Sequence, residues 1–281
     1  MYSRELIKPD GRKLWLYSRR PIADDLQAPS PGKEALHPNP HFRWHPFRGE
    51  WITYASYRQG RTFMPPPEFN PLAVTVDANN PTELPQGEYD VAVFQNRFPS
   101  LSQAAHAAPP SLVATMPATG QCEVVVFTQD AKSTLGTLPL LHLELLLEVW
   151  GQRTRELGAE HNIAYVLPFE NRGVEVGVTL HHPHGQIYAY PFVPPVPQRM
   201  HDQEVAYFRQ TRQAMLEHYI EQELADNTRL IYAGPHAVAF TPAWARYPYE
   251  VWVAPIKAVP DLAALTSEQR SEIVKKVAAK R

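Results

Sequence analysis

A weak internal repeat constrains the fold more than any other feature of the sequence. The segment HAVAFTP (236–242) repeats the pattern of DVAVFQN (90–96). The segment 249–277 then follows 122–150 in the type and order of its residues, a Val-rich run before a helical pattern. Such a repeat indicates one structural unit that occurs twice. We therefore predict an α+β fold of two related units, each with an antiparallel sheet and packed helices, the second unfinished where the sequence stops at Arg281.

Local patterns predict the elements of these units. Runs rich in Val, Ile and aromatic residues, bounded by turn residues, are typical of strands. Apolar residues at helical spacing predict a helix over 140–157 and a second over about 203–225. The pattern Thr266-x-x-Gln269 is a capping box and predicts the start of a helix in the second unit. The predicted strands of the first unit are 49–56, 90–96, 111–117, 122–128, 163–171 and 185–192.

The first forty residues predict an extended arm. Turn residues such as Lys8-Pro9-Asp10-Gly11 separate only short apolar pieces in this segment. The whole chain holds 29 prolines in 281 residues, roughly twice the usual share of about 5%. We therefore expect stiff, extended connections, and an arm that is ordered by packing on something larger.

Composition excludes several classes of protein. The formal net charge of -2 leaves no overall basic surface for nucleic acid or for an anionic membrane. The single cysteine, Cys122, excludes an intrachain disulfide and an all-cysteine zinc site. We expect no signal peptide, because no basic segment followed by an apolar run opens the sequence, and no membrane span, because charged residues interrupt its most apolar stretch. We expect a cytoplasmic protein.

Three histidines in four residues form the most informative motif. His181, His182 and His184 lie between a glycine-containing loop and a predicted strand, in which His182 and His184 would share a face. A neutral imidazole nitrogen is a good nucleophile toward phosphorus when an acceptor holds the other ring nitrogen. Gly185 would let a phosphate approach the backbone, and Gln186 can donate to a negative oxygen. The spacing alone fits equally well a turn that binds adventitious metal, or histidines satisfied in a core.

Four segments in order carry a family resemblance. HPHGQ (182–186), preceded by FENRGVEVG, is similar to a motif of the galactose-1-phosphate uridylyltransferase family, a branch of the histidine-triad superfamily. SYRQGR (56–61), VFQNRFPSL (93–101) and RYPYEVWVAP (246–255) also resemble segments of that family. The likeness covers roughly residues 42–281. It implies two histidine-triad-like units: after the arm (1–40), a first unit over 41–200 with HPHGQ, and a linking helix with a partial second unit over 201–281.

The resemblance implies a catalytic cycle and a set of site residues. His184 would attack the α-phosphorus of UDP-glucose and release glucose-1-phosphate, and galactose-1-phosphate would then take the uridylyl group in a ping-pong cycle. Gln186 would hold a phosphoryl oxygen, and the carbonyl of His182 would orient the nucleophile. The resemblance places Asn171, Gly177 and Thr179 around the phosphates, Phe94, Asn96 and Phe98 near the uridine, and Arg58 and Arg61 across a homodimer interface at the sugar phosphate. Taken singly, these are also ordinary turn, core and surface residues.

The sequence departs from the family at a zinc site. Many members bind zinc through Cys-Pro-x-Cys, a later histidine and the first histidine of HPH. Here these positions read Asn70-Pro71-Leu72-Ala73 and Ala131, which leaves only His182. One imidazole does not hold a structural zinc, so we predict no metal cofactor.

Two other functions stay open at this point. One is a nucleotide phosphorylase or adenylyltransferase of the same superfamily, which would use His184 with another base. The other is a non-catalytic nucleotide-binding subunit, which the missing C-terminal strands and the replaced zinc ligands suggest. The family positions that recognise the hexose would follow Arg281. Hexose specificity therefore stays open too.

Overall fold

The chain forms two compact units. The computed structural model describes residues 1–34, 37–60, 65–66 and 69–277. The first unit comprises Met1–Thr134 and Thr154–Phe192, and the second comprises Leu135–Arg153 and Val193–Arg281. The strands of the first unit are β1 (Tyr2–Ile7), β2 (Lys13–Ser18), β3 (His41–His45), β4 (Glu50–Tyr54), β5 (Val91–Gln95), β6 (Thr115–Pro117), β7 (Gln121–Val126), β8 (Tyr165–Phe169) and β9 (His184–Tyr190).

Six of these strands form the sheet that carries the histidine motif. Their order is β1-β2-β5-β7-β9-β8, and every neighbouring pair is antiparallel. The remaining three form a smaller antiparallel sheet in the order β4-β3-β6. The mixed fold with antiparallel sheets confirms the predicted fold class. Each predicted strand of the first unit overlaps an observed one. Of the strand predicted over 111–117, only the last three residues form a strand, which is β6.

The first forty residues contain two strands that the sequence analysis did not predict. β1 and β2 form a hairpin, and β2 pairs on its other side with β5 in the register Leu14↔Phe94. The turn residues near Lys8 close this hairpin, because the Lys8 N–H donates to the Arg12 carbonyl at 2.8 Å. Gly11 adopts the left-handed φ of 83° that this turn requires. β2 is buried between two strands over five of its six residues, so it lacks the polar alternation by which a half-exposed strand is identified.

The second unit contains a three-stranded antiparallel sheet. Its strands are β10 (Leu230–Ala233), β11 (Ala237–Phe240) and β12 (Trp252–Pro255), in that order. The helix α4 (Ser267–Val277) follows β12, much as α1 (Leu140–Gly158) follows β7. The capping box is present as predicted: the Gln269 N–H donates to Thr266 Oγ1 at 3.2 Å, and the Thr266 N–H donates to Gln269 Oε1 at 3.0 Å.

The prediction of one continuous helix over about 203–225 is wrong. The structure has two helices there, α2 (Pro195–Thr211) and α3 (Met215–Asp226). Arg212 ends α2 in the left-handed region at φ 61°, and its N–H bonds to the carbonyl of Phe208. A left-handed residue closes a helix, but glycine is its usual sequence signal. Arginine at this position gave no such signal. In the described part of the chain, no helix combines the length and the apolar character that crossing a membrane requires.

Candidate active site

Strand β9 presents two polar residues of the HPHGQ motif on one face. Exposure alternates along the strand, with His184 and Gln186 half-buried and Gly185 and Ile187 buried. Residues two apart in a strand point the same way, so His184 and Gln186 face the same side. A Cβ on Gly185 would lie 2.7 Å from the carbonyl oxygen of Phe169 and 2.9 Å from the Phe127 ring. The glycine is therefore needed for packing on the opposite face, and the approach of a phosphate to its backbone stays a prediction.

The His184 ring is held in the orientation that a nucleophile needs. Its Nδ1 lies 2.7 Å from the carbonyl oxygen of His182. A carbonyl only accepts, so Nδ1 carries the proton and Nε2 keeps a free lone pair in the neutral ring. Burial lowers the pKa of His184, and the bond to the His182 carbonyl opposes this shift only in part. His184 is therefore neutral, with a nucleophilic Nε2, at neutral pH.

The His182 side chain is held by hydrogen bonds to two other segments, an arrangement that we call the clamp. Its Nε2 lies 2.7 Å from the carbonyl oxygen of Thr128, and its Nδ1 lies 2.9 Å from Nδ2 of Asn70. Asn70 is itself fixed, because its Oδ1 accepts from the Leu72 N–H at 3.0 Å. These partners make Nε2 the donor and Nδ1 the acceptor of a neutral His182 ring. Burial lowers the pKa of His182 as well. The residue whose carbonyl orients His184 thus has both ring nitrogens engaged.

The zinc that the resemblance implies does not fit this donor set. Neither Ala73 nor Ala131 has a side-chain atom that could bind a metal. The Nδ2 group of Asn70 donates a hydrogen bond to His182. No lone pair of the His182 ring is left for a metal, because Nδ1 accepts from Asn70 and Nε2 donates to Thr128. Over residues 1–34, 37–60, 65–66 and 69–277, no group of three or more His, Cys, Asp or Glu residues is placed to hold a metal ion.

Removing the Asn70 amide should leave the His182 residue, and through its carbonyl the His184 ring, less well oriented. We expect Asn70→Leu to slow covalent capture of a nucleotide by His184 about 10- to 100-fold, the usual cost of losing a partner that orients a ligating or reacting histidine. Nucleotide affinity should change little, because Asn70 does not line the cavity described below. Rapid-quench kinetics and calorimetry separate the two quantities. Asn80→Leu, the same change at an exposed position of the same loop, is the control. An unchanged capture rate in Asn70→Leu would contradict the role of this clamp.

A cavity of the first unit gathers most of the site residues named from sequence. His184 and Gln186 line it with the residues expected at the phosphates and at the uridine. Arg58 also lines it, and its guanidinium donates to the carbonyl of Phe98 in the same chain. His182 does not line this cavity, and Arg61 lies outside the described residues. The residues brought together are Arg58, Phe94, Asn96, Phe98, Asn171, Gly177, Thr179, His184 and Gln186.

Other lining residues were missed by the sequence analysis. Arg97 lies inside the segment VFQNRFPSL, and its buried Nε has no hydrogen-bond partner among the described residues. The resemblance of this segment to the family was the signal that could have identified Arg97 as a lining residue. Glu83 and Pro31 come from stretches without any recognised motif, so sequence gave no signal for them. Asn171 and Gly177 flank the 3₁₀ turn Val174–Val176, and Gly177 has a left-handed φ of 78°.

An antiparallel sheet offers a carbonyl-oriented histidine and a neighbouring glutamine to a cavity, which is the arrangement that the resemblance to histidine-triad nucleotidyltransferases implies. Sequence comparison narrows this class. Residues 34–194 match the family model "Galactose-1-phosphate uridyl transferase, N-terminal domain", and residues 200–281 match the corresponding C-terminal domain. The chain belongs to the galactose-1-phosphate uridylyltransferase family.

Individual relatives agree with this assignment. The chain is 35% identical over 240 residues to a galactose-1-phosphate uridylyltransferase of Thermotoga maritima, which covers 83% of this chain and 72% of the relative. It is 36% identical over 270 residues to that of Streptomyces lividans, covering 95% and 70%. Among solved structures, a uridylyltransferase aligns with a TM-score of 0.73 at 28% identity, over 85% of this chain and 73% of that one. An ADP-glucose phosphorylase from Arabidopsis thaliana shares the fold, with a TM-score of 0.59 at 20% identity over 85% and 76%.

Proposed function

We propose that this protein is a hexose-1-phosphate uridylyltransferase that exchanges a uridylyl group between UDP-glucose and galactose-1-phosphate. The observation that carries the proposal is the His184 ring, whose Nδ1 is bound to the His182 carbonyl while the residue lines the cavity. Membership of the family supplies the substrate class. A held, neutral imidazole is what covalent capture of a phosphoryl group requires.

The reaction is a double displacement at the α-phosphorus. Nε2 of His184 attacks this atom, a P–N bond forms, and the bond to the bridging oxygen breaks. The leaving glucose-1-phosphate keeps that electron pair. A phosphate oxygen of galactose-1-phosphate then attacks the same phosphorus and breaks the P–N bond, which restores the neutral ring. The Nδ1–H bond to the His182 carbonyl stabilises the positive ring of the intermediate.

Other cavity residues are assigned to the parts of the substrate. We assign the Gln186 amide to a non-bridging phosphoryl oxygen, since it lies on the same strand face as His184. Asn171, Gly177 and Thr179 are assigned to the phosphates, and Phe94, Asn96 and Phe98 to the uridine. Arg58 lines the cavity of its own chain, so we assign it a phosphate contact there. A homodimer, a role for Arg58 or Arg61 across its interface, and a cytoplasmic location stay predictions.

The intact mass of the protein tests the proposal. After incubation with UDP-glucose we expect a gain of one uridylyl group per chain, and no gain with ADP-glucose. Addition of galactose-1-phosphate should remove the adduct and yield UDP-galactose. A gain only with ADP-glucose would favour the phosphorylase or adenylyltransferase alternative. No adduct with either nucleotide sugar would favour a non-catalytic nucleotide-binding subunit.

We propose further that the Asn70–His182 contact stands where other family members hold zinc. Elemental analysis of the purified protein should find well below one zinc per chain at this site, and a chelator should leave the rate of adduct formation unchanged. The clamp is made of hydrogen bonds, which a chelator does not affect. One tightly bound zinc per chain, lost together with activity on chelation, would overturn this part of the proposal.

A further inference from the structure

Four charged side chains of the first unit are buried together beside the cavity. Lys8 and Arg12, from the hairpin of β1 and β2, both contact Glu83 Oε2 at 2.9 Å. Arg12 also contacts Asp10 Oδ2 at 2.7 Å, and Ser30 donates to the same oxygen at 2.6 Å. None of these residues is more than 9% exposed. Two cations face two carboxylates, so the cluster has no net charge.

Stability alone does not account for such a cluster. The free energy needed to remove charges from water is about as large as the free energy gained from their mutual attraction. Apolar side chains of similar volume are often at least as stabilising. Burial lowers the pKa of Lys8 even though Glu83 opposes the shift, which shows that desolvation outweighs the attraction at this residue. This cost favours a role for these charges besides packing.

The cluster holds a carboxylate at the wall of the cavity. Among the described residues that line the cavity of Gln186 and Phe94, Glu83 is the only acidic one. Within the residues that the structure describes, its Oε1 takes a single side-chain contact, from Arg12 at 3.2 Å, and a carboxylate oxygen can accept more than one hydrogen bond. The same two cations lie over the Phe94 ring, Lys8 Nζ at 5.0 Å from its centre. Glu83 thus lies beside an aromatic ring that we assign to the uridine.

We infer that Glu83 binds the nucleoside by accepting a hydrogen bond from one of its O–H or N–H donors. The inference rests on the proposed function, which supplies a uridine. A charge-balanced cluster that offers only an acceptor does not attract phosphate, whereas uridine carries donors at its ribose hydroxyls and at N3–H. Residues 1–33, which precede the family-model match at residue 34, then serve the site by holding Glu83 in place.

Calorimetry of nucleotide binding tests this inference without any catalytic step. The ligands are uridine 5′-diphosphate and its 2′-deoxy, 3′-deoxy and N3-methyl analogues. The wild-type protein should bind at least one analogue about tenfold or more weakly, because a hydrogen bond to a charged group is lost. The affected analogue identifies the donor. Equal binding of all four ligands, within about threefold, would overturn the inference without any variant.

Two matched variants complete the test. In Glu83→Gln, we expect the glutamine amide oxygen to accept from Lys8 and Arg12, which leaves the amide NH2 group toward the cavity. An NH2 group cannot accept a hydrogen bond, so discrimination between the ligands should fall below about threefold. Glu88→Gln makes the same change at an exposed position of the same loop, outside the residues that line the cavity, so discrimination should persist. Loss of discrimination in both variants, or in neither, would overturn the role of Glu83.

The adduct experiment keeps this inference separate from the proposed function. A wild-type chain that forms the uridylyl adduct yet binds all four nucleotides equally overturns the role of Glu83 alone. A chain that discriminates among them without forming an adduct supports Glu83 and overturns the transfer reaction.

Discussion

Replacing His184 by asparagine should lower the rate of uridylyl adduct formation by about 10⁴-fold or more, because the substitution removes the attacking nitrogen itself. The asparagine side chain has the reach of the Nδ1 half of the imidazole and can still donate to the His182 carbonyl. It has no atom at the position of Nε2. The fold and the cavity should therefore persist while the covalent step is lost.

Intact-mass spectrometry after incubation with UDP-glucose measures this effect directly. His181→Asn is the matched control, since His181 is an exposed neighbour in the same motif and its replacement should leave the adduct intact. Binding of uridine 5′-diphosphate to His184→Asn, measured by calorimetry, shows whether the cavity is preserved. Wild-type turnover in His184→Asn would refute both enzymatic readings of the chain.

Replacing Gln186 by leucine should slow adduct formation by about 10²- to 10³-fold, the usual cost of losing a donor aimed at a negative oxygen in the transition state. The side chain lies on the same face of β9 as His184 and lines the same cavity. Leucine has a similar volume and cannot donate. Because charge builds on the phosphoryl oxygens mainly in the transition state, nucleotide affinity should fall much less than the rate.

Single-turnover kinetics against nucleotide concentration separate these two quantities. Gln121→Leu makes the same change on the neighbouring strand β7, outside the residues that line the cavity, and should leave the rate within about twofold, as surface changes usually do. If Gln186→Leu weakened binding tenfold while the rate at saturation stayed the same, Gln186 would be a ground-state contact, and our assignment would be wrong.

Most secondary-structure elements of the site could be predicted from the sequence because their signals are local. The Val-rich runs of β5, β7 and β9 and the helical spacing of α1 lie within single elements. β2 escaped prediction because five of its six residues are buried, which removes the polar alternation. β1 is an edge strand without a buried residue, and its Ser, Arg and Glu leave no apolar run to identify it. The break between α2 and α3 escaped because Arg212 adopts a conformation for which its residue type is a poor signal.

Local residue patterns were enough to identify most strands near the site, the histidine motif and the absence of cysteine or histidine at Asn70, Ala73 and Ala131. The contact that Asn70 makes instead depends on the tertiary structure. Asn70 and His182 are 112 residues apart, and Lys8 and Glu83 are 75 apart. Residue spacing fixes which side chains share a face within one strand or helix. Which distant segments meet depends on strand pairing and loop path across the whole unit, and that is set by the packing of its core.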